Sequence, residues 1–391
     1  MRVIAIVLTV VATSLLRSNA QVAIDPLMAA IEGPQSGREG ELVALSLTDA
    51  MKKLGVPGLS VAVIRDFEIH WTRGYGVADV ASGTPAVPET LYQAASISKP
   101  VAAMAILKAV QDRRFGLDDD VNKILTSWKV PASEHTARQP VTLRGLLSHT
   151  SGTDDGFGFP GYKPGTPVPT LTQILNGEPP SNVKAVLMGR PPLTAFKYSG
   201  GGFALIQLLL TDATKRPFPD VVQEWVLQPI GMTSSAYEQP LSPARDRQAA
   251  RAHDRTGNAR EAKWHVYPEL AAAGLWTTAP DLARFGIELQ KSIQGRSNRV
   301  LTRTTTIEMA TPVGVGPFGL GISINKKGEG WYLEHGGSNW GFQCALIVHK
   351  LKGYGFAAMT NADSGGRLLA ELEQRVAAAY KWDSLDKPLR R

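Results

Sequence analysis

The chain has 391 residues, of which 43% are hydrophobic, so it is long enough to bury a large core in two or three subdomains. Its formal charge of +7 comes from scattered lysines and arginines without a basic run, and we therefore expect no nucleic-acid partner. The single cysteine, Cys344, excludes an intrachain disulfide.

The first twenty residues have the pattern of a secretory signal. Arg2 precedes an apolar run over residues 3–11, and small residues suited to cleavage end at Ala20. We interpret residues 1–20 as a signal peptide and expect a secreted or periplasmic protein with no stable membrane insertion after cleavage. A retained membrane anchor is the alternative, although the apolar run is shorter than the ~20 residues that span a bilayer.

The folded part begins with a predicted β-hairpin and a predicted buried helix. Two strand-like runs at residues 59–64 and 69–75 are separated by a turn at 65–66. The segment 96–110 is apolar nearly all round, which is typical of a helix in the centre of a protein.

The remaining patterns place a helical region between two strand-forming regions. Short helical patterns alternate with Pro/Gly-rich loops as far as residue 275, at 143–147, 204–210 and 220–227, and the longest loop spans 154–169. Strand patterns return and a helical pattern closes the domain, at 319–324, 331–334, 343–349, 354–360 and 367–380.

These patterns predict an α/β (α+β) fold in one domain over residues 42–380. An antiparallel sheet is built from both chain ends, about 42–95 and 280–380, and is flanked by helices. A mostly helical subdomain, about 110–275, is inserted between them. Residues 381–391 form a C-terminal tail.

Serine three residues before lysine is a candidate nucleophile motif, because one helical turn brings the hydroxyl and the ammonium to the same face. The pattern occurs at Ser96/Lys99, Ser181/Lys184, Ser323/Lys326 and Ser384/Lys387. Only Ser96 lies where a loop meets a long apolar helix, whose N-terminus favours negative charge. The other copies lie in polar stretches that we expect at the surface. A simple helix cap at Ser96 is the alternative.

Four segments resemble the β-lactamase and D-alanyl-D-alanine peptidase superfamily, and in particular its class C, esterase-rich branch. The resemblance covers roughly residues 42–380, and the motifs follow in the family's order. They are Ser96-Ile97-Ser98-Lys99, Leu146-Leu147-Ser148-His149-Thr150-Ser151-Gly152, Tyr198-Ser199-Gly200 and His335-Gly336-Gly337.

The resemblance implies an acyl-enzyme mechanism. Ser96 is the implied nucleophile, with Lys99 and Tyr198 as coupled proton-transfer partners, and the sequence leaves open which of the two is the base. The implied oxyanion hole consists of the backbone amides of Ser96 and Ser338. The implied substrate-binding residues are His335, Gly336, Gly337 and Trp340. We interpret His149 as structural rather than catalytic, and leave open whether Trp340 and Phe342 line the pocket or belong to the core.

Two departures from the family pattern bear on the substrate. Gly200 replaces the usual asparagine, and His335 replaces the cation that binds the substrate carboxylate in true β-lactamases. We expect His335 to be charged at pH 5.5 and neutral at pH 8, because the ordinary histidine pKa is about 6.5. Both departures favour ester or peptide-like substrates over β-lactams.

The sequence therefore predicts an exported serine hydrolase that cleaves small-molecule esters, amides or small peptides. The alternatives are a D-alanyl-D-alanine carboxypeptidase or D-aminopeptidase, a weak β-lactamase, and a penicillin-binding sensor that is acylated without turnover. The seven histidines include no paired metal-ligand motif, so we expect no metal and no cofactor. The oligomeric state is not predicted.

Overall fold

The computed structural model describes residues 26–155 and 158–383. The predicted signal peptide, residues 1–20, lies outside the described residues, as do most of the predicted tail and the Ser384/Lys387 pair. Within the described ranges, no helix has both the length and the apolar character that a membrane crossing requires.

A seven-stranded antiparallel sheet forms the centre of the fold. The described residues form these seven strands and a separate pair, β4 and β5. In chain order they are β1 (Gly58–Arg65), β2 (Glu68–Asp79), β3 (Thr84–Pro85), β4 (Tyr92–Gln93), β5 (Trp276–Thr277), β6 (Ser323–Lys327), β7 (Gly330–Asn339), β8 (Phe342–His349) and β9 (Gly355–Thr360). The large sheet has the order β3-β2-β1-β9-β8-β7-β6, and β4 pairs with β5 separately. Because β1 pairs with β9, with Leu59 opposite Thr360, both chain ends build one sheet. The predicted fold class is confirmed.

Helices cover both faces of this sheet. The chain between its N-terminal strands and its C-terminal strands consists mostly of helices and loops. They are α1 (Pro26–Glu32), α2 (Leu47–Leu54), α3 (Ser98–Gln111), α4 (Val121–Ile124), α5 (Glu134–Arg138), α6 (Leu143–Leu147), α7 (Leu171–Asn176), α8 (Gly200–Thr214), α9 (Phe218–Val222), α10 (Gln228–Ile230), α11 (Pro243–Asp246), α12 (Leu270–Ala273), α13 (Ala279–Ile293), α14 (Arg303–Met309) and α15 (Gly365–Ala379).

The central strands are buried on both sides. In β1, Val61 and Val63 belong to the apolar layer with α2 and α15, whereas Ala62 and Ile64 belong to the layer with α3 and α13. A strand covered on both faces has no exposed side, which explains why residues 61–64 of β1 are all apolar.

Several helices were not predicted from the sequence, and one strand starts later than predicted. The longest of these helices is Ala279–Ile293, whose buried face carries Leu282, Phe285, Leu289 and Ile293 at helical spacing. The strand expected from residue 319 begins only at Ser323. At Gly321 φ is +89°, and a Cβ there would lie 2.3 Å from Cβ of Ala103, so the chain turns to pack against α3 instead.

A buried arginine attaches the N-terminal segment to α15. The side chain of Arg375 is fully buried and donates to Glu371 Oε1 at 2.8 Å. Its other nitrogens donate to four backbone carbonyls at 2.9–3.2 Å, those of Ile31, Gly33, Leu42 and Leu45. Planar guanidinium geometry suits such a set of acceptors better than a lysine ammonium does.

We predict that Arg375→Ala lowers the free energy of unfolding by about 3–5 kcal/mol, because it removes the buried donor of four backbone carbonyls and one of the two arginines that pair with Glu371. Chemical denaturation monitored by circular dichroism measures the loss. Arg367→Ala is the matched control on the same helix, since the Arg367 side chain is 66% exposed and pairs only with Glu41. Equal losses in the two variants would contradict the role assigned to Arg375.

Candidate active site

Ser96 lies in a tight turn directly before α3. Residues Ala95–Ile97 form one turn of 3-10 helix, and φ of Ala95 is +49°, a backbone conformation that side chains other than glycine adopt rarely. Ser98 fixes the turn. Its hydroxyl accepts from Leu275 N–H at 3.0 Å, and its carbonyl accepts from the Tyr237 hydroxyl at 2.7 Å. Ser96 is thus held partly exposed on a rigid backbone.

Lys99 brings a buried ammonium to the Ser96 hydroxyl. Its side chain is 2% exposed, and Nζ donates to Ser96 Oγ at 3.1 Å. The same nitrogen donates to the Ala272 carbonyl in α12 at 2.8 Å. The predicted pairing of the two side chains on one helical turn is therefore present, whereas a helix-cap role for Ser96 is not observed.

The other copies of the pattern bring no comparable pair together among the described residues. Ser323 was expected at the surface, but it is buried in β6 and its hydroxyl donates to the Glu334 carbonyl at 2.6 Å. Positions three apart in a strand point to opposite faces, so Lys326 lies on the other side of the strand. Ser181 is partly buried in a loop, where its hydroxyl donates to the Val183 carbonyl at 3.3 Å.

Tyr198 lies beside the ammonium of Lys99. Nζ of Lys99 is 4.9 Å from the centre of the Tyr198 ring. On its other side the ring packs against His149, with centroids 4.3 Å apart. Ser96, Lys99 and Tyr198 therefore lie in one cluster, and the sharing of a proton among them stays a prediction.

His149 supports the backbone next to Tyr198. Its Nδ1 accepts from Ser199 N–H at 3.1 Å, so the ring proton lies on Nε2, which has no hydrogen-bond partner among the described residues. Burial, reinforced by the charge of Lys99, lowers the pKa of His149 well below its ordinary value. A neutral, buried ring that accepts a backbone hydrogen bond agrees with the structural interpretation.

Asp155 fixes the N-terminus of α8 and was missed by the sequence analysis. Its carboxylate accepts from the Ser199 hydroxyl at 2.5 Å and from Gly201 N–H at 2.7 Å. The Ser199 oxygen in turn accepts from Gly202 N–H and caps the helix. Asp155 lies in a loop, and loops carry no hydrophobic periodicity. Its position shortly after the segment that ends at Gly152 was the one sequence signal for it.

Strand β7 lies against the turn that carries Ser96. A Cβ at Gly337 would lie 2.3 Å from the Ala94 carbonyl oxygen and 2.4 Å from Sγ of Cys344, so only glycine allows this approach. Ser96 and Ser338 line the same cavity. The donation of their two amides to an oxyanion stays a prediction.

His335 is buried and neutral, contrary to the expected titration near pH 6.5. It is 6% exposed, and its Nδ1 donates to the Gly336 carbonyl at 2.7 Å. Burial, and then the charge of Lys99, lowers the pKa of His335 to about 3. His335 therefore stays uncharged between pH 5.5 and 8, and the expected charge change in that range was wrong.

The cavity at the site has a volume of about 1250 Å³ and an aromatic wall. Trp340 lines it and stacks on His265 with ring centres 3.9 Å apart, while the Arg260 guanidinium lies 4.6 Å from the Trp340 ring centre. Phe342, in contrast, is fully buried in the core. The two alternatives left open by the sequence are thereby resolved, with Trp340 in the pocket and Phe342 in the core. Gly336 and Gly337 also line the cavity.

No group of three or more His, Cys, Asp or Glu side chains in the described part of the chain is arranged to hold a metal ion. Lys99 is the charged group in direct contact with Ser96. The geometry suits nucleophilic attack by the serine hydroxyl on a carbonyl carbon, with the proton passing to a neighbour in the cluster.

The chain is similar to known proteins over most of its length. Protein flp of Staphylococcus aureus (strain N315) is 24% identical over 339 residues, which cover 80% of this chain and 61% of that protein. The chain thus spans about six tenths of the length of that relative.

Two solved structures share the fold at low identity. The octameric penicillin-binding protein homologue from Pyrococcus abyssi has a TM-score of 0.70 and 22% identity, over 86% of this chain and 76% of that chain. The D-amino acid amidase from Ochrobactrum anthropi SV3, in complex with L-phenylalanine amide, has a TM-score of 0.69 and 21% identity, over 91% of this chain and 99% of that chain. The Beta-lactamase family profile matches residues 43–381, nearly the whole described chain, and the chain therefore belongs to the beta-lactamase family.

Proposed function

We propose that this chain is an exported serine hydrolase that forms an acyl-enzyme on Ser96 and cleaves esters, small amides or small peptides. The observation that carries the proposal is the 3.1 Å hydrogen bond from the buried Lys99 ammonium to Ser96 Oγ, at a cavity of about 1250 Å³. Family membership supports hydrolysis. The signal-like pattern of residues 1–20 supports export.

In the proposed reaction, Ser96 Oγ attacks the substrate carbonyl carbon and its proton passes to the Lys99/Tyr198 pair. The carbonyl oxygen becomes an oxyanion, which the amides of Ser96 and Ser338 stabilise. Collapse of this intermediate expels the alcohol or amine, which takes the proton from the pair. Water then attacks the acyl-enzyme, with the same pair as base, and releases the acid and free Ser96.

The neutral state of His335 favours uncharged ester and amide substrates over carboxylate-bearing ones. The site offers no ion pair from position 335 to a substrate carboxylate, because the pKa of His335 is about 3. Amide hydrolysis of D-amino acid derivatives is the second candidate, favoured by the similarity over 99% of the D-amino acid amidase chain. Continued turnover after the first equivalent of product would distinguish either hydrolase from a sensor.

Ser96 should be the residue that carries the acyl group. We expect a fluorophosphonate probe to label Ser96, and Ser96→Ala to lower kcat by a factor on the order of 10⁶. Ser181→Ala, in another copy of the Ser-x-x-Lys pattern, is the control and should keep full activity and labelling. Peptide mapping that located the label on Ser181 or Ser323 would refute the assignment.

Lys99 and Tyr198 should act as one unit. Lys99→Ala, Tyr198→Phe and the double variant are expected to have similar residual kcat, because loss of either partner disables the shared proton transfer. Steady-state kinetics on a p-nitrophenyl ester measures this. Lys197→Ala, which removes an ion pair to Asp154 beside the site, is the control. Strictly additive losses would indicate two independent roles.

His335 should make stability depend on acid pH and leave carboxylate binding independent of pH. Its folded pKa of about 3 lies below the ordinary value of 6.5, so the stabilisation is complete above pH 6.5 and is lost as the pH falls toward 3. We expect His335→Gln to reduce this slope in pH-dependent thermal unfolding, whereas His70→Gln, at an exposed position on β2, should not.

The kinetic part of the same prediction uses a carboxylate-bearing cephalosporin. The KM of the wild type for this substrate should show no His335-dependent transition between pH 5.5 and 8. His335→Gln should therefore have the same pH profile of KM. A KM that rises with pH in the wild type and becomes flat in His335→Gln would show that His335 is charged in this range.

A further inference from the structure

The space beside Gly200 is filled by an aromatic ring from another segment. Gly200 is the third residue of Tyr198-Ser199-Gly200 and the first residue of α8, and it is buried. A Cβ at this position would lie 2.6 Å from Cε2 and 3.1 Å from Cζ of Phe159. Real Cβ atoms do not approach a ring carbon to 2.6 Å, so Phe159 occupies the volume that any side chain at position 200 would need.

Phe159 is held in place from both sides of its loop. On one side, Asp155 accepts from the Ser199 hydroxyl and from Gly201 N–H. On the other side, the Pro160 carbonyl accepts from His265 Nδ1 at 3.0 Å. These hydrogen bonds attach Asp155 to the first turn of α8 and Pro160 to His265, while the ring of Phe159 itself packs against Gly200.

The ring forms part of the cavity wall near Ser96. Phe159 lines the cavity together with Phe196, Phe318 and Trp340. Phe196 and Phe318 stack with centroids 5.6 Å apart. The wall next to Tyr198 is therefore aromatic, and it has no amide side chain at position 200.

We propose that Phe159 is a specificity-determining residue that selects neutral aryl or bulky alkyl acyl groups over acyl groups with an amide beside the scissile carbonyl. The inference rests on the proposed acyl-enzyme at Ser96. An apolar acyl group gains contact with the ring of Phe159, whereas an amide packed against the ring loses its hydrogen bonds to water and gains none from the ring. Phe159 and Gly200 act as a pair, because the ring excludes side chains at position 200.

The first test compares kcat/KM for three p-nitrophenyl esters: acetate, phenylacetate and N-acetylglycinate. The wild type should prefer phenylacetate to N-acetylglycinate by at least tenfold. Phe159→Ala should lower the phenylacetate/acetate ratio by about 10- to 50-fold, with a smaller effect in Phe159→Leu. Phe67→Ala, at the β1–β2 turn, is the control and should leave the ratio unchanged. An unchanged ratio in Phe159→Ala would overturn the proposal.

The second test is a double-mutant cycle at positions 159 and 200. Gly200→Asn alone should lower kcat/KM for all three esters, because the new side chain collides with the ring. Phe159→Ala/Gly200→Asn should raise the N-acetylglycinate/phenylacetate ratio at least tenfold above the product of the single effects. Independent effects would show that the two positions are not coupled and would overturn the pairing.

The labelling rate of Ser96 by a fluorophosphonate separates this proposal from the proposed function. A wild type that is neither labelled nor active on any ester would refute the serine hydrolase itself. A labelled and active wild type whose ester selectivity does not respond to position 159 would refute only the role of Phe159. Phe159→Leu that keeps the labelling rate and the unfolding temperature of the wild type excludes misfolding as the cause of changed selectivity.

Discussion

The site depends on a single buried cation. An ammonium removed from water is stable only when oxygen atoms surround it, and Lys99 obtains them from the Ser96 hydroxyl and the Ala272 carbonyl. These two acceptors come from parts of the chain more than 170 residues apart. Because Lys99 must reach both acceptors, the Ser96 turn before α3 is held against α12. Helix α12 also packs against α8.

Burial, together with the same charge, keeps two neighbouring histidines neutral. Lys99 lies close enough to His149 and His335 to add to the effect of burial, and the pKa values of both imidazoles fall. Two neutral imidazoles and several phenyl rings then surround one ammonium. In the proposed mechanism, proton movement is therefore assigned to Ser96, Lys99 and Tyr198, because neither histidine has its ordinary affinity for a proton.

The sequence predicted the parts of the site that depend on local spacing. Ser96 and Lys99 are one helical turn apart, and the apolar run of α3 was sufficient to distinguish them from the copy at Ser323. The β1–β2 hairpin and the strands of the C-terminal half followed from alternation and from apolar runs. Local patterns of this kind arise because one face of each element must be buried.

Features that depend on tertiary contacts were not predictable from the same patterns. The packing of Gly321 on Ala103 delays the start of an expected strand to Ser323. Asp155 and Phe159 lie in an aperiodic loop, where only the position of α8 gives them a role. The charge state of His335 depends on burial, which a motif of three residues cannot reveal.

The close approach of Gly337 to the Ala94 carbonyl also has a consequence for the order of events during folding. These residues are 243 positions apart, so their contact closes one of the longest loops in the domain, at an entropic cost that is not recovered until the sheet pairs. The helical region and α3 can acquire local structure earlier. A chain in which β7 has not docked lacks one wall of the catalytic cavity. Enzymatic activity in a refolding experiment would therefore follow the docking of β7, while helix content would follow the earlier local steps.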